Sequence, residues 1–262
     1  MIVTLTTDFG PSSPYVAAMK GVILSIASEV RLVDLSHAVP PQDVAHGAAV
    51  LEEVAPFFPT GAIHVAVVDP GVGTDRRIVY AEIGGQRFVA PDNGLLGPLA
   101  AESPPTELRE ITNRDLFLPE ISATFHGRDI MAPVAAHLAL GVAAEQLGPP
   151  LQRLVSLDAP VAVIQSNAIR GTVRMIDSFG NVISNIRGDT LKSMPLDTTA
   201  TICCGGQTVT GLFSVYADAG DGQLIALIGS AGYVELAVVG GSAAARLGVC
   251  PGEPFTIDYT DN

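Results

Sequence analysis

Three carboxylates, Asp8, Asp69 and Asp177, each close an apolar run and open a loop that contains glycine. Carboxylates so placed suit three tasks: orienting or deprotonating a water, ligating a metal ion, or accepting hydrogen bonds from substrate hydroxyl and amino groups. Asp69 is followed within a few residues by two guanidinium groups, Arg76 and Arg77, and a cation beside a carboxylate favours its charged form. His126 stands in Thr124-Phe-His-Gly-Arg-Asp129, where a helix start supplies amides able to hold an anion or orient water. The other four histidines, His37, His46, His64 and His137, sit in patterns that a packed or surface imidazole satisfies.

Two further stretches lie in the second half of the chain. Ile176-Asp-Ser-Phe-Gly-Asn-Val-Ile-Ser-Asn185 sets Asp177, Phe179 and Asn181 around a glycine, an arrangement suited either to a purine edge and ring or to a plain hairpin turn. Ile228-Gly-Ser-Ala-Gly-Tyr-Val-Glu235 either holds an amino acid through Ser230 and backbone amides or is a glycine-rich turn. Asp8, Asp69 and Asp177 also form a possible ligand set, but no HExxH, no paired histidines and no DxDxDG loop accompany them, so no metal is expected. No GxGxxG follows the first strand, and no GxxxxGK[ST] or GxSxG is present. Dinucleotide, P-loop and α/β-hydrolase chemistry therefore lose their main support.

The elements that must position these residues follow from periodicity. Residues 1–7 read as a buried strand stopped by Asp8-Phe9-Gly10. Ser12 or Ser13 caps a helix with Pro14 in its first turn and apolar Val16, Met19, Val22, Ile23 and Ile26 at helical spacing. A strand over Val30–Leu35 and a helix from about Asp43 to Val54 come next. Residues 63–68 read as a buried parallel strand, whose carboxyl end is where ligands bind in an open α/β sheet. Gly84-Gly85 joins 78–83 and 87–90 as a hairpin, and Pro91-Asp92-Asn93-Gly94 is a turn. Residues 102–122 read as irregular with at most one short strand, and an apolar helix runs from about Ile130 to Leu140, closed by Gly141.

Beyond residue 150 the alternation of strand and helix gives way to short β-type runs at 161–164, 169–176, 182–186, 199–203, 224–228, 233–239 and 254–259, with a helix only around Ala243–Leu247. The expected architecture is an N-terminal α/β domain, 1–155, with a mostly parallel sheet and helices on both faces, and an all-β, barrel-like C-terminal domain, 156–262.

Composition narrows the partners. The 262 residues carry 14 basic against 27 acidic side chains, and the formal charge of −13 repels phosphate backbones and anionic membranes. Neither nucleic acid nor membrane is an expected partner. Three cysteines form no disulfide framework or metal spacing, no charged leader opens the chain, and no apolar run reaches the roughly 18 residues of a spanning helix. A cytoplasmic protein is expected.

Taken together, Thr6-Thr-Asp-Phe-Gly10, Val67-Val-Asp-Pro-Gly-Val-Gly-Thr74, Ala90-Pro-Asp-Asn-Gly94, Thr124-Phe-His-Gly-Arg-Asp129, Asp177-Ser-Phe-Gly-Asn181 and Gly229-Ser-Ala-Gly-Tyr-Val-Glu235 resemble the S-adenosylmethionine hydroxide adenosyltransferase family, the hydrolase branch of the superfamily that includes fluorinase and chlorinase. The resemblance implies hydrolysis of S-adenosylmethionine to adenosine and methionine by water or hydroxide attacking the ribose C5′. It implies a catalytic Asp69, Arg76 and His126, with Asp8 on the ribose hydroxyls, Phe179 and Asn181 at the adenine, Asp177 and Ser230 around the methionine, and Tyr216 and Glu235 as further substrate contacts. It also implies an α/β domain joined to a β-barrel, a homotrimer with sites between subunits, and no cofactor. Halogenating relatives carry Tyr in place of Asp69 and lack the histidine of position 126, which favours water over halide here. The rival readings are a 5′-halogenase and a non-catalytic adenosine- or S-adenosylmethionine-binding module.

Overall fold

In a computed structural model, which describes residues 1–191 and 200–259, the chain forms two compact units, Met1–Asp158 and Ala159–Asn262. The first is built on a six-stranded sheet with the order β2-β1-β3-β5-β4-β6, where β1 is Ile2–Thr7, β2 Arg31–Ser36, β3 Ile63–Val67, β4 Ile78–Ile83, β5 Gln86–Pro91 and β6 Glu107–Glu110. The β2-β1, β1-β3 and β3-β5 pairs are parallel, whereas the β4-β5 hairpin across Gly84-Gly85 and the β4-β6 pair are antiparallel, so the sheet is mixed.

Both faces of this sheet are buried, and the period-two alternation of side chains divides them. Ile63, Val65 and Val67 of β3 face one side with Val3 and Leu5, packing against helices α1 (Pro14–Ile26) and α4 (Ala132–Ala139). Ala66 and Val68 face the other with Val79, Ala81 and Phe88, against α2 (Val44–Val54) and α3 (Gly97–Glu102). His64 points to this second side. It is buried, with Nδ1 2.8 Å from the Thr4 hydroxyl and its ring stacked 4.8 Å from Phe88, and burial pushes its pKa down to about 4.

Local chemistry sets the helix starts. The Ser13 hydroxyl accepts the Tyr15 N–H with Pro14 at the first position of α1, and the Asp43 carboxylate accepts the His46 N–H at 2.9 Å ahead of α2. The start of α4 differs from the expected simple helix. Gly127–Met131 forms a π-helical turn, with the Ala132 N–H reaching back to Gly127 O, before regular α geometry takes over. Helix α3 also lies in a stretch with no helical expectation, its Pro98 in the first turn. No described helix is long and apolar enough to cross a membrane.

The second unit is an antiparallel sheet in the order β11-β10-β14-β8-β9-β13-β12, with β7 (Val163–Ile164) on β8. Its strands are β8 Ala168–Ile176, β9 Val182–Arg187, β10 Thr201–Cys204, β11 Gln207–Thr210, β12 Leu224–Ile228, β13 Tyr233–Val238 and β14 Pro254–Asp258, with the short helices α5 (Gly188–Leu191) and α6 (Ala243–Leu247). The sheet curls into a barrel-like form around Ile169, Val182, Ile202, Leu236 and Phe255. Strand β11 is an addition to the expected set, paired to β10 across Gly205-Gly206, and residue 199 of the expected run 199–203 lies outside the described residues.

Candidate active site

The loops at the carboxyl ends of the adjacent parallel strands β1 and β3 carry Asp8 and Asp69. After β3 the chain turns tightly: the Val72 N–H reaches Asp69 O at 3.2 Å, and Thr74 returns both its N–H and its hydroxyl to Gly71 O, at 3.2 and 2.7 Å. Two glycines make this turn possible. A Cβ on Gly71 would crowd the Arg76 side chain at 3.1 Å, and Gly73, at φ +79°, would drive a Cβ into the carbonyl oxygen of Ala123. The turn brings Arg76 back over Asp69 in a bidentate pair, Nε to Oδ1 at 2.8 Å and Nη2 to Oδ2 at 2.5 Å, with the two side chains only 11% and 5% exposed. Arg77 turns elsewhere, to the buried carboxylate of Asp92, which also accepts the Val155 N–H at 2.8 Å.

The third member arrives from the π-helical turn. Gly127 packs against Val67 and Met19 with no room to spare, which seats His126 at the mouth of β3. Nη2 of Arg76 lies 3.0 Å from His126 Nδ1, and because a guanidinium only donates, Nδ1 accepts and the neutral ring carries its proton on Nε2. Burial lowers the pKa of His126 and the positive charge of Arg76 lowers it further, against the opposing pull of Asp69 and Asp129. At neutral pH the imidazole is uncharged, with Nε2–H as a donor.

Asp69 and His126 open on a cavity of about 380 Å³ that Asp8 also lines. Its walls include Phe9, Tyr15 and Phe125, three rings in mutual edge-to-face contact at centroid distances of 5.2–5.7 Å. These aromatics and Gln42 escaped the sequence reading, although Phe9 and Phe125 sit inside the motifs that carry Asp8 and His126. Gln42 has φ +65°, the one non-glycine residue at positive φ among the described residues, and its N–H donates to Asp8 Oδ2 at 2.8 Å. A larger cavity, about 590 Å³, lies between α3, β6 and residues 150–156, but its Glu107 and Arg109 are paired with each other. The smaller cavity is the one that gathers reactive groups.

In the second unit Asp177 closes the β8-β9 hairpin, its Oδ1 accepting the N–H groups of Phe179 and Asn181 at 2.9 Å and its Oδ2 the Asn181 side-chain amide at 2.8 Å. The Phe179 ring is left 78% exposed at the tip. Tyr216 donates its hydroxyl to Glu235 Oε1 at 2.7 Å, and burial together with that carboxylate pushes the phenol up to about 12. Ser230 lies in the turn between β12 and β13, where a Cβ on Gly229 would meet the Glu235 carboxylate and force it to move. The structure thus gathers Asp8, Asp69, Arg76 and His126 in one unit, and Asp177, Phe179 and Asn181 in one turn of the other, with Tyr216 and Glu235 as a bonded pair. Among the described residues no three His, Cys, Asp or Glu side chains cluster as a metal site would.

Residues 3–148 match the SAM hydroxide adenosyltransferase N-terminal domain and residues 171–256 the C-terminal domain. The chain is 41% identical over 258 residues to an (R)-S-adenosyl-L-methionine hydrolase of Salinispora tropica, covering 97% of each. A fluorinase of Actinopolyspora mzabensis is more distant, 30% identical with 90% of each chain covered. An uncharacterized conserved protein from Thermotoga maritima superposes with a TM-score of 0.92 at 38% identity, over 98% of this chain and 100% of that one.

Proposed function

The chain belongs to the SAM hydroxide adenosyltransferase family, and we propose that it hydrolyses S-adenosyl-L-methionine to adenosine and L-methionine at the cavity lined by Asp69 and His126, which Arg76 holds together. Water attacks the ribose C5′ in line with the sulfonium; the C5′–O bond forms as the C5′–S bond breaks, and its electron pair leaves on sulfur as a neutral thioether. No acid is needed for the leaving group. The difficulty lies with the nucleophile, since water has a pKa near 15.7 and must be oriented and polarised. Asp69 accepts a hydrogen bond from the water and takes up its proton as the C5′–O bond forms. His126, its Nδ1 filled by Arg76, donates Nε2–H to a water lone pair. Arg76 holds both partners and offsets developing negative charge.

Asp8 takes the ribose hydroxyls. Phe179, Asn181 and Tyr216 take the adenine side, and Asp177, Ser230 and Glu235 the methionine side. The active species is a homotrimer whose sites form between subunits; the exposed Phe179 ring and the half-exposed Tyr216 suit a surface that a neighbouring subunit covers. The enzyme needs no cofactor and works in the cytoplasm, a compartment consistent with free thiols at Cys203, Cys204 and Cys250.

The observation that carries this reading is the single guanidinium bonded to both Asp69 and His126 beside a cavity of ligand size. Chromatography of an incubation with S-adenosylmethionine tests it: adenosine and methionine in equal amounts are expected, with unchanged yield after exhaustive chelation. A 5′-chloro-5′-deoxyadenosine product in chloride would favour a halogenase, and tight binding without product a non-catalytic module.

A further inference from the structure

Asp129 lies three residues beyond His126 and is wholly buried. A buried carboxylate is costly unless its oxygens are satisfied, so its partners show what it holds. Oδ1 accepts from Arg128 Nε at 2.6 Å, and Oδ2 from Arg128 Nη2 at 3.1 Å and from the backbone N–H of Ser122 at 2.8 Å. Residues one apart on an α-helix do not face each other, yet here the pair closes within the π-helical turn. The main-chain carbonyl of Asp129 accepts the Leu118 N–H at 2.9 Å. One residue therefore ties down both ends of the strap 118–122. That strap continues through Ala123, whose carbonyl oxygen rests against Gly73 in the loop carrying Arg76. On the other side the Arg128 guanidinium lies 4.9 Å over the ring of Phe125, the neighbour of His126.

We propose that Asp129 is a positioning residue, which locks His126 in register with the Asp69–Arg76 loop through the strap 118–124. The inference rests on the reading of His126 as a group that orients water. The charged and titratable groups around that imidazole are Asp69 and Arg76 from the loop after β3, Asp129 and Arg128 on its own turn, and Asp8 and Tyr15 lining the same cavity. Among them Asp129 helps to hold the His126 pKa up. Removing its charge leaves Arg128 uncompensated and lowers that pKa further. Removing Arg128 leaves the carboxylate uncompensated and raises it. A group that merely held the fold together would not move the ring titration in opposite directions.

The test uses full-length Asp129→Asn and Arg128→Gln chains, with the His126 ring titrated by NMR of carbon-13 histidine, assigned by loss of its signal in His126→Ala, and with steady-state adenosine release. Asp129→Asn should titrate lower than the parent and lose about ten- to hundredfold in kcat, with KM within about threefold, as expected of groups that orient a catalytic side chain. Arg128→Gln should titrate higher and lose less, because the Ser122 N–H bond survives. If Asp129→Asn fails to fold, Ser122→Pro removes the N–H donor to Asp129, together with the hydroxyl that accepts the Thr124 N–H, but leaves both charges in place, so it should lower kcat without shifting the ring titration. A folded Asp129→Asn with parental kcat overturns the proposal, wherever its His126 ring titrates, as does a kcat loss that tracks only the folded fraction. A parent chain that makes no adenosine would overturn the functional reading instead, and the two ring titrations would still decide the coupling.

Discussion

Arg76 is bonded to both Asp69 and His126, and its planar fork explains why these side chains hold one geometry. The three groups act on water more than on substrate. Asp69→Asn, Arg76→Ala and His126→Ala are thus expected to depress turnover while S-adenosylmethionine affinity stays within about tenfold, or roughly 1.4 kcal/mol. Calorimetry showing binding abolished in all three folded variants would contradict that division of labour. Arg76→Ala strands a buried carboxylate and Asp69→Asn a buried guanidinium, so both should be less stable than His126→Ala, by up to about 3–5 kcal/mol; equal melting temperatures across the set would argue against the buried pair. The pH dependence has a definite sign. His126 serves as a neutral donor and its pKa is lowered, so activity is lost only as pH falls through a value below the ordinary 6.5, and is retained above it. Activity that instead fell as pH rose through that value would show that the imidazolium is the active form.

At the scale of elements, the turn between β3 and β4 and the π-helical turn at 127–131 decide whether the three side chains meet. Gly73 faces backbone and sits at φ +79°, whereas Gly84 in the β4-β5 hairpin, φ +60°, has open space around its Cα. Gly84→Ala should cost only the left-handed penalty of about 1–2 kcal/mol and leave kcat unchanged. Gly73→Ala must in addition push the 118–124 strap away, so it should lose more stability and lower kcat; equal behaviour of the two variants in thermal unfolding and turnover would show that the strap contact does not matter. Much of this scaffold was legible in the chain. Ser13-Pro14, Asp43 and Gly84-Gly85 act through local backbone chemistry that any context preserves, and the apolar run at 63–68 can be buried only between two layers. What was not legible depends on distant partners. Helix α3 follows a turn sequence and is held by packing against α2, and the π-helical turn carries bonds from the distant Ser122 and Leu118 to Asp129. The destination of Arg77 was hidden for the same reason, since Asp92 comes near it only when β4 and β5 pair. At the site, residue types marked Asp69, the Arg76-Arg77 pair and His126 as candidates and the family resemblance singled out Asp69, Arg76 and His126, but neither pointed to the backbone of Gln42 that holds Asp8.

For the whole molecule, the proposed contacts divide between the two units: Asp8, Asp69, Arg76 and His126 belong to the first, and Asp177, Phe179, Asn181, Tyr216, Ser230 and Glu235 to the second. If sites form between neighbours in a closed ring, each interface joins one subunit's first unit to another's second unit. An Asp8→Ala chain and an Asn181→Ala chain, each nearly inactive alone, should then regain activity when co-refolded, because about one interface in four of an equimolar mixture has both halves intact. Mixed trimers, verified by mass spectrometry, that are no more active than the separate mutants would place each site within one chain. The central claim is that water is the nucleophile and C5′ the carbon attacked. Incubation with S-adenosylmethionine in oxygen-18 water, followed by mass spectrometry of the nucleoside, tests it most directly. The account predicts adenosine carrying one oxygen-18 in its 5′-hydroxyl and unlabelled methionine. Adenosine without label, or a 5′-halogenated nucleoside in its place, would contradict it.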